Sequence, residues 1–106
     1  NGIFAVCEPN CNGTLEALTQ TGLASKVKFV AFDPSDRLIA GLSDGSVSGI
    51  VLQDPFQMGY QSVKTLLQSI AGETVESYVS TGEYVATPEN KDTDEFVKLL
   101  RPEIAE

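Results

Sequence analysis

The sequence predicts an α/β fold in which a mostly parallel sheet has flanking helices. Short apolar runs, typical of buried strands, alternate with segments whose apolar residues recur at the helical period. Polar and turn-forming residues separate the two kinds of segment. The change from a strand pattern to a helix pattern is clearest within residues 49–60. There the apolar run 50–52 ends in polar residues, and Pro55 stops further ladder pairing. We expect that run to be a strand buried on both faces.

Strands and helices are expected to alternate through the first two thirds of the chain. Pro9 suits the first turn of a helix, while Gly22 and Gly45 are natural helix stops. The strands are predicted at residues 3–6, 27–32 and 47–53, and the helices at about 9–21, 38–44 and 56–71. The last helix is the longest and carries one apolar stripe, which consists of Phe56, Tyr60, Val63, Leu67 and Ile70.

The last third of the chain predicts extended structure followed by a terminal helix. Residues 75–86 are rich in β-branched and aromatic side chains, so we expect one or two extended segments. Asp92 and Glu95 have the spacing of a capping box, and the helix that they would begin stops at Pro102. The complete order, β-α-β-α-β-α-β(β)-α, implies right-handed crossovers between parallel strands.

Composition describes one small, acidic globular domain of 106 residues. The net charge of −8 argues against binding to nucleic acid, because few cations are present to neutralise phosphates. No apolar run has the roughly 18 residues that a membrane span needs. The first residue is Asn1 and no signal peptide is recognisable, while a strand is expected almost at once. We therefore expect that a targeting segment, a tag or a whole domain has been removed upstream.

Neither a metal site nor a cofactor nor catalysis is predicted. Cys7 and Cys11 are the only cysteines and histidine is absent, so a closed zinc site is not expected. The two cysteines are either free thiols or a disulfide, and the sequence leaves both possibilities open. There is no serine or cysteine nucleophile paired with a histidine base, and no phosphate-binding glycine motif.

Polar residues follow each of the three predicted parallel strands. Because the carboxyl ends of such strands share one edge of the sheet, these residues are expected to meet there. A thiol, carboxylates and an amide at one edge suit a sugar or similar polyol, whose hydroxyl groups donate and accept hydrogen bonds. Simpler roles remain open: Glu8 and Asp33 as helix caps, Gln53 as a partner for backbone groups, and Phe56, Tyr60 and Tyr78 as core residues. The residues at the strand ends are Cys7, Glu8, Asp33, Gln53 and Asp54.

A series of short segments carries a family resemblance along nearly the whole chain. The segments are Gly2-Ile-Phe-Ala, Gly13-Thr-Leu-Glu-Ala-Leu, Val27-Lys-Phe-Val-Ala-Phe-Asp33, Asp44-Gly45, Gln53-Asp-Pro-Phe-Gln-Met-Gly-Tyr60, Thr81-Gly82 and Thr87-Pro-Glu-Asn90. Each is weak alone, but their order and spacing resemble those of ribose-type periplasmic solute-binding proteins, which have the type I periplasmic-binding-protein fold. The chain is similar to the carboxyl-terminal third of such a two-lobed protein.

The resemblance implies a site and a division of the chain. Family ligand contacts map onto Cys7, Asp33 and Gln53, although the family commonly has Asn where Cys7 stands, and a thiol lacks the paired donor and acceptor of a carboxamide. Residues 1–53 and 83–106 would form the carboxyl-terminal lobe. Residues 54–82 would supply a hinge crossing, a helix and a strand of the amino-terminal lobe, whose remainder is absent.

The sequence offers three candidate functions. The resemblance implies the substrate-binding component of an ABC-type importer, a non-enzyme that binds a sugar or similar small solute outside the cytoplasm and delivers it to a membrane permease. The alternative is the effector-binding core of a lactose-repressor-type transcription regulator; the segments at 53–59 and 87–90 favour the transport branch. A flavodoxin-like enzyme is the third, without a recognisable catalytic constellation. The chain is expected to pair with its missing lobe or, when it is isolated, to self-associate.

Overall fold

The structure is a computed structural model that describes residues 1–102. Four strands and four helices alternate, which confirms the α/β class and the predicted order. The elements are β1 (Gly2–Phe4), α1 (Glu8–Gln20), β2 (Lys28–Phe32), α2 (Asp36–Asp44), β3 (Gly49–Leu52), α3 (Pro55–Ile70), β4 (Tyr84–Ala86) and α4 (Asp94–Leu100). The chain divides into two compact units. One contains Asn1–Leu52 and the segment that starts at Tyr84, and the other is Gln53–Glu83.

The first unit contains a four-stranded sheet in the order β1-β2-β3-β4. The first three strands are parallel, and β4 runs antiparallel to β3. This is the mostly parallel sheet predicted from the sequence, and it brings the carboxyl ends of β1, β2 and β3 to one edge. Of the extended segment predicted at 75–86, only the last three residues form a strand. The described residues between α3 and β4 belong to no helix or strand.

The core lies on one face of this sheet. Phe29 and Ala31 of β2 and Ile50 and Leu52 of β3 are buried in a single cluster with apolar residues of α1, α2 and α4. The helical members of this cluster that are buried are Cys11, Leu15, Leu18, Leu38, Leu42 and Leu100. Side chains alternate between the faces of a strand, so the burial of every second residue in β2 shows which face the helices cover.

The opposite face of the sheet is less covered. Phe4 is 55% exposed and Val85 is 49% exposed, and the ring of Phe4 lies 6.4 Å from the ring of Phe32 on this face. Val51 is only half-buried. The expectation that the run 50–52 is buried on both faces is therefore wrong for this chain, because the buried helical side chains all belong to the cluster on the other face.

Local side-chain chemistry sets where α1 and α2 begin. The N-cap of α1 is Cys7, in extended backbone, and Glu8 is the first helical residue, where its charge complements the helix dipole. Ser35 caps α2, since its Oγ accepts a hydrogen bond from the Leu38 N–H. The capping roles considered for Glu8 and Asp33 are therefore wrong.

The later helix ends also follow local chemistry. Asp54 caps α3 by accepting a hydrogen bond from the Gln57 N–H at 2.9 Å, and Pro55 occupies the first turn. Gly45 ends α2 with φ of +83°, a conformation that glycine adopts without strain. The terminal helix α4 begins after Thr93, which makes no side-chain capping bond, rather than at the predicted capping box on Asp92.

Polar side chains join the first turns of α1 and α2. Ser35 Oγ donates to Asn12 Oδ1 at 2.9 Å, and Asn12 Nδ2 donates to Glu8 Oε1 at 2.6 Å. Farther along, the Arg37 guanidinium donates to the Glu16 carboxylate. This hydrogen bond is the main reason that the pKa of Glu16 lies below its usual value, and a second bond from Gln20 adds to the effect. The two helices are thus held in register above the sheet.

The second unit consists of α3 and the irregular segment after it. No residue of α3 is buried, and the five side chains of its predicted apolar stripe are 56–75% exposed. The rings of Phe56 and Tyr60 stack with centroids 6.5 Å apart. These two residues and Tyr78 are exposed, so the alternative that they form a core is wrong for this chain. No helix within residues 1–102 has the length and apolar character required to cross a membrane.

Gly41 gives a test of how closely α2 packs on Val47, in the connection that leads to β3. A Cβ atom at this buried position would lie 2.6 Å from Val47 Cγ2. Gly41→Ala is therefore expected to lower the free energy of unfolding by about 1–3 kcal/mol, despite the better helix propensity of alanine. Gly13→Ala is the matched control, because Gly13 is also helical and has no atom within 4 Å of the added Cβ.

The control substitution is expected to raise the free energy of unfolding by about 0.5–1 kcal/mol. Chemical denaturation monitored by circular dichroism measures both variants. Equal stabilisation by the two substitutions would contradict the close packing described for α2.

Candidate ligand-binding site

The edge formed by the carboxyl ends of β1 and β2 holds two of the predicted site residues. Cys7 lies three residues beyond the end of β1 and forms the N-cap of α1. Asp33 follows β2 directly. Because these strands are adjacent and parallel, the turns that carry Cys7 and Asp33 leave the same edge of the sheet. Both residues are half-buried, so each is partly accessible to solvent.

Asp33 is held in an unusual backbone conformation. Its φ of +64° lies in the left-handed region, which aspartate tolerates better than most residues do. Its N–H donates to the carbonyl of Val51 in β3 at 3.0 Å, so the turn is fixed to the neighbouring strand. Ser35, two residues later, caps α2. The backbone of Asp33 is therefore set by the strand end and does not serve the helix cap.

Gln53 occupies the corresponding place after the third parallel strand. It follows Leu52, the last residue of β3, and it is the first residue of the second unit. Gln53 is half-buried. The next residue, Asp54, has its carboxylate engaged in capping α3. Of the two polar residues that end the apolar run, Asp54 thus has a structural role.

The two cysteines are free thiols in different environments. Cys7 is half-buried at the edge and its side chain makes no capping hydrogen bond, whereas Cys11 is completely buried in the core. The disulfide that the sequence left open is not formed. Within residues 1–102, no group of three or more cysteine, aspartate or glutamate side chains is arranged to hold a metal ion.

Two residues near the edge, Asn12 and Asp54, have structural roles that were not predicted from the sequence. Asn12 joins Glu8 to Ser35 through two side-chain hydrogen bonds, so the carboxylate of Glu8 is already engaged in local structure. The spacing of Glu8 and Asn12, four residues apart on one helix, is the signal in the sequence. Asp54 followed by Pro55 is similarly the usual pairing of an N-cap with a first-turn proline. These residues support the edge, while Cys7 and Asp33 remain its candidates for ligand contact in the first unit.

Comparison with known proteins identifies close structural relatives. The family-wide sequence profile of the periplasmic binding protein domain matches residues 1–74. No curated protein sequence matches the chain. An ABC transporter solute-binding protein from Agrobacterium vitis, solved with bound D-fucose, is 36% identical over 94% of this chain and 34% of that one, with a TM-score of 0.84. A carbohydrate transporter solute-binding protein from Agrobacterium radiobacter, in complex with D-arabinose, is 35% identical over 93% of this chain and 34% of that one, with a TM-score of 0.83.

A structure from Brachyspira murdochii, named as an ABC transporter and LacI family transcriptional regulator, is less similar. It is 31% identical over 70% of this chain and 23% of that one, with a TM-score of 0.66. The chain thus spans about a third or less of the length of these solved structures. The fold and the family resemblance expected from the sequence are confirmed. Since the profile covers well over half of the 106 residues, the chain belongs to the periplasmic binding protein domain family.

Proposed function

We propose that this chain is part of the substrate-binding component of an ABC-type importer and binds a sugar or similar small polar solute. The observation that carries the proposal is the coincidence of two facts. Polar residues follow neighbouring parallel strands at one edge of the sheet, and two relatives that are 35% and 36% identical over more than 90% of this chain were solved with D-arabinose and D-fucose. An edge of this kind is where α/β proteins bind ligands.

Each proposed contact supplies a different part of sugar recognition. The Asp33 carboxylate accepts hydrogen bonds from two hydroxyl groups, and the Gln53 carboxamide both donates and accepts. The Cys7 thiol is a weak donor and a small apolar group, so it suits a part of the solute that presents few hydroxyls. Together these residues distinguish a polyol from an apolar ligand, while Cys7 biases the choice among polyols.

The division of the chain into lobes is part of the proposal. Residues 1–53 and 83–106 would belong to one lobe, and residues 54–82 to the hinge crossing and the other lobe. The chain's two compact units, with boundaries at Gln53 and Glu83, support this division. The exposed stripe of α3 also supports it, because apolar stripes of that size usually pack against another surface. The strand expected within 54–82 is not formed in this chain, where these residues supply α3 and irregular structure.

The partners and location follow from this function. A substrate-binding component of an importer works outside the cytoplasm and delivers its solute to a membrane permease. It binds without chemical turnover, and the chain offers no nucleophile paired with a histidine base. Similarity to the Brachyspira structure makes a transcription regulator the second candidate, in which the same edge would bind an effector. A signal peptide in the full-length gene supports the importer, whereas a DNA-binding helix-turn-helix supports the regulator.

The first test of the function removes the proposed contacts one at a time. In the full-length protein, Asp33→Ala and Gln53→Ala should each weaken binding of D-fucose or D-arabinose by about tenfold or more, because buried polar groups lose their partners. Isothermal titration calorimetry measures the affinities.

Matched controls come from the opposite ends of the helices. Asp44→Ala, at the carboxyl end of α2, and Gln20→Ala, at the carboxyl end of α1, should bind as the wild type does. Affinities that are unchanged in both site variants would refute the assignment of Asp33 and Gln53. Failure of the wild-type protein to bind any monosaccharide or other small polar solute in a screen would refute the proposed function itself.

The second test concerns the isolated 106-residue chain. Burial of each side chain in the α3 stripe stabilises by roughly 1.5–3 kcal/mol, so the exposed stripe favours association. We expect analytical ultracentrifugation at high micromolar concentration to detect dimers or larger species. Replacement of Val63 and Leu67 by lysine should restore the monomer, while Lys64→Glu, a charge change outside the stripe, should not. A monomeric wild-type chain would contradict the division into two lobes.

A further inference from the structure

The hydrogen-bond ladder between β1 and β2 follows a regular parallel alternation. At its start, the Lys28 N–H donates to the carbonyl of Asn1 at 3.2 Å. Near its end, the Ala5 N–H donates to the carbonyl of Val30 at 3.1 Å. In a parallel pair the direction of donation alternates, so the next bond in this register would run from the Phe32 N–H to the carbonyl of Ala5. That bond would be the last one before the segments that leave β1 and β2 reach Cys7 and Asp33.

The thiol of Cys11 occupies the place of this bond. The Phe32 N–H donates to Cys11 Sγ at 3.2 Å. The same sulfur lies 3.4 Å from the carbonyl oxygen of Ala5 and 3.5 Å from that of Phe32, and its single proton donates to one of them. Cys11 is completely buried. A side chain of α1 thus connects the last residue of β2 to the chain that leaves β1.

This connection bears directly on the candidate site. Asp33 is the residue after Phe32, and Cys7 lies two residues after Ala5. A thiol between these two segments of the backbone holds them farther apart than a direct N–H···O bond would, since the usual length of such a bond is about 2.9 Å. The second fixed point is the bond from the Asp33 N–H to Val51. The backbone of Asp33 is therefore held between β3 on one side and the Cys11 bridge on the other.

We propose that Cys11 is a positioning residue for the ligand site: its thiol replaces the last bond of the β1–β2 ladder and so sets the spacing of Cys7 and Asp33. The proposal rests on the proposed function, since it concerns the same edge. It also assigns a role to the one buried thiol, which takes part in no disulfide. Cys11 does not touch the solute and acts through the backbone of Phe32.

Three substitutions separate hydrogen bonding from volume. Cys11→Ser keeps a hydrogen-bond donor and acceptor, whereas Cys11→Val keeps the side-chain volume without either group. Cys11→Ala removes both the hydrogen bonding and the volume, and it replaces the valine variant if that variant does not fold. In the full-length protein, titrated with D-fucose and D-arabinose, Cys11→Val should bind about tenfold more weakly, while Cys11→Ser should stay within about threefold of the wild type. Leu18→Ala, a buried substitution elsewhere in α1, should lower stability and leave the affinity unchanged.

A double-mutant cycle distinguishes positioning from general destabilisation. If Cys11 acts through Asp33, the valine substitution should have little further effect on affinity in the Asp33→Ala background. Full affinity in Cys11→Val, equal losses in the serine and valine variants, or additive losses with Asp33→Ala would each overturn the proposal.

Amide hydrogen exchange separates this proposal from the proposed function. The Phe32 amide should exchange about tenfold faster in Cys11→Val than in the wild type, measured relative to amides in the middle of β3. Leu18→Ala should show no such local difference. If the wild type binds neither sugar but the Phe32 amide is selectively released, the choice of solute fails and the bridge stands. Unchanged relative exchange at Phe32 would overturn the bridge whether or not sugar binds.

Discussion

The parallel pairing of β1, β2 and β3 is the constraint on which the rest of the structure depends. Three neighbouring strands that run the same way place their carboxyl ends on one edge, so the connections after them must leave from that edge. The register is fixed because Phe29 and Ile50 must face the buried side, and a shift by one residue would turn them outward. The locations of Cys7 and Asp33 are therefore a consequence of the hydrophobic core.

Hydrophobic periodicity was sufficient to predict the order and type of the elements, and Pro55 located the start of α3. Helix caps were less predictable, because serine and aspartate both cap well and stand close together before α2. The choice of Ser35 depends on the left-handed backbone of Asp33, which arises from a contact with β3 that no local pattern reveals. Of the segment 75–86, which was predicted to be extended, only β4 pairs with the sheet, because β-propensity reflects packing on a sheet as well as local sequence.

The role of Cys11 shows a different limit of sequence reasoning. Two cysteines four residues apart suggest a metal site, a disulfide or two free thiols without a specific role. All three alternatives treat the two residues as a pair. The fold separates them: Cys7 is the extended N-cap at the edge, while Cys11, one turn later, faces the end of β2. A sulfur that bridges two strand ends requires the helix, both strands and their register at once. Such a role is visible only when all four are known.

The apolar surface left exposed on the first unit is separate from the contacts that hold the backbone at the edge. In the first unit the exposed side chains of Phe4 and Val85 lie on the face of the sheet away from the core cluster. Asp33 is held by the bond from its N–H to the carbonyl of Val51 and, through Phe32, by the bridge to Cys11. Covering the open face would add stability through apolar burial, whereas the backbone bonds at the edge would stay the same. The backbone geometry at Cys7 and Asp33 is thus intrinsic to the first unit, and the remaining apolar surface concerns how stably that unit is held.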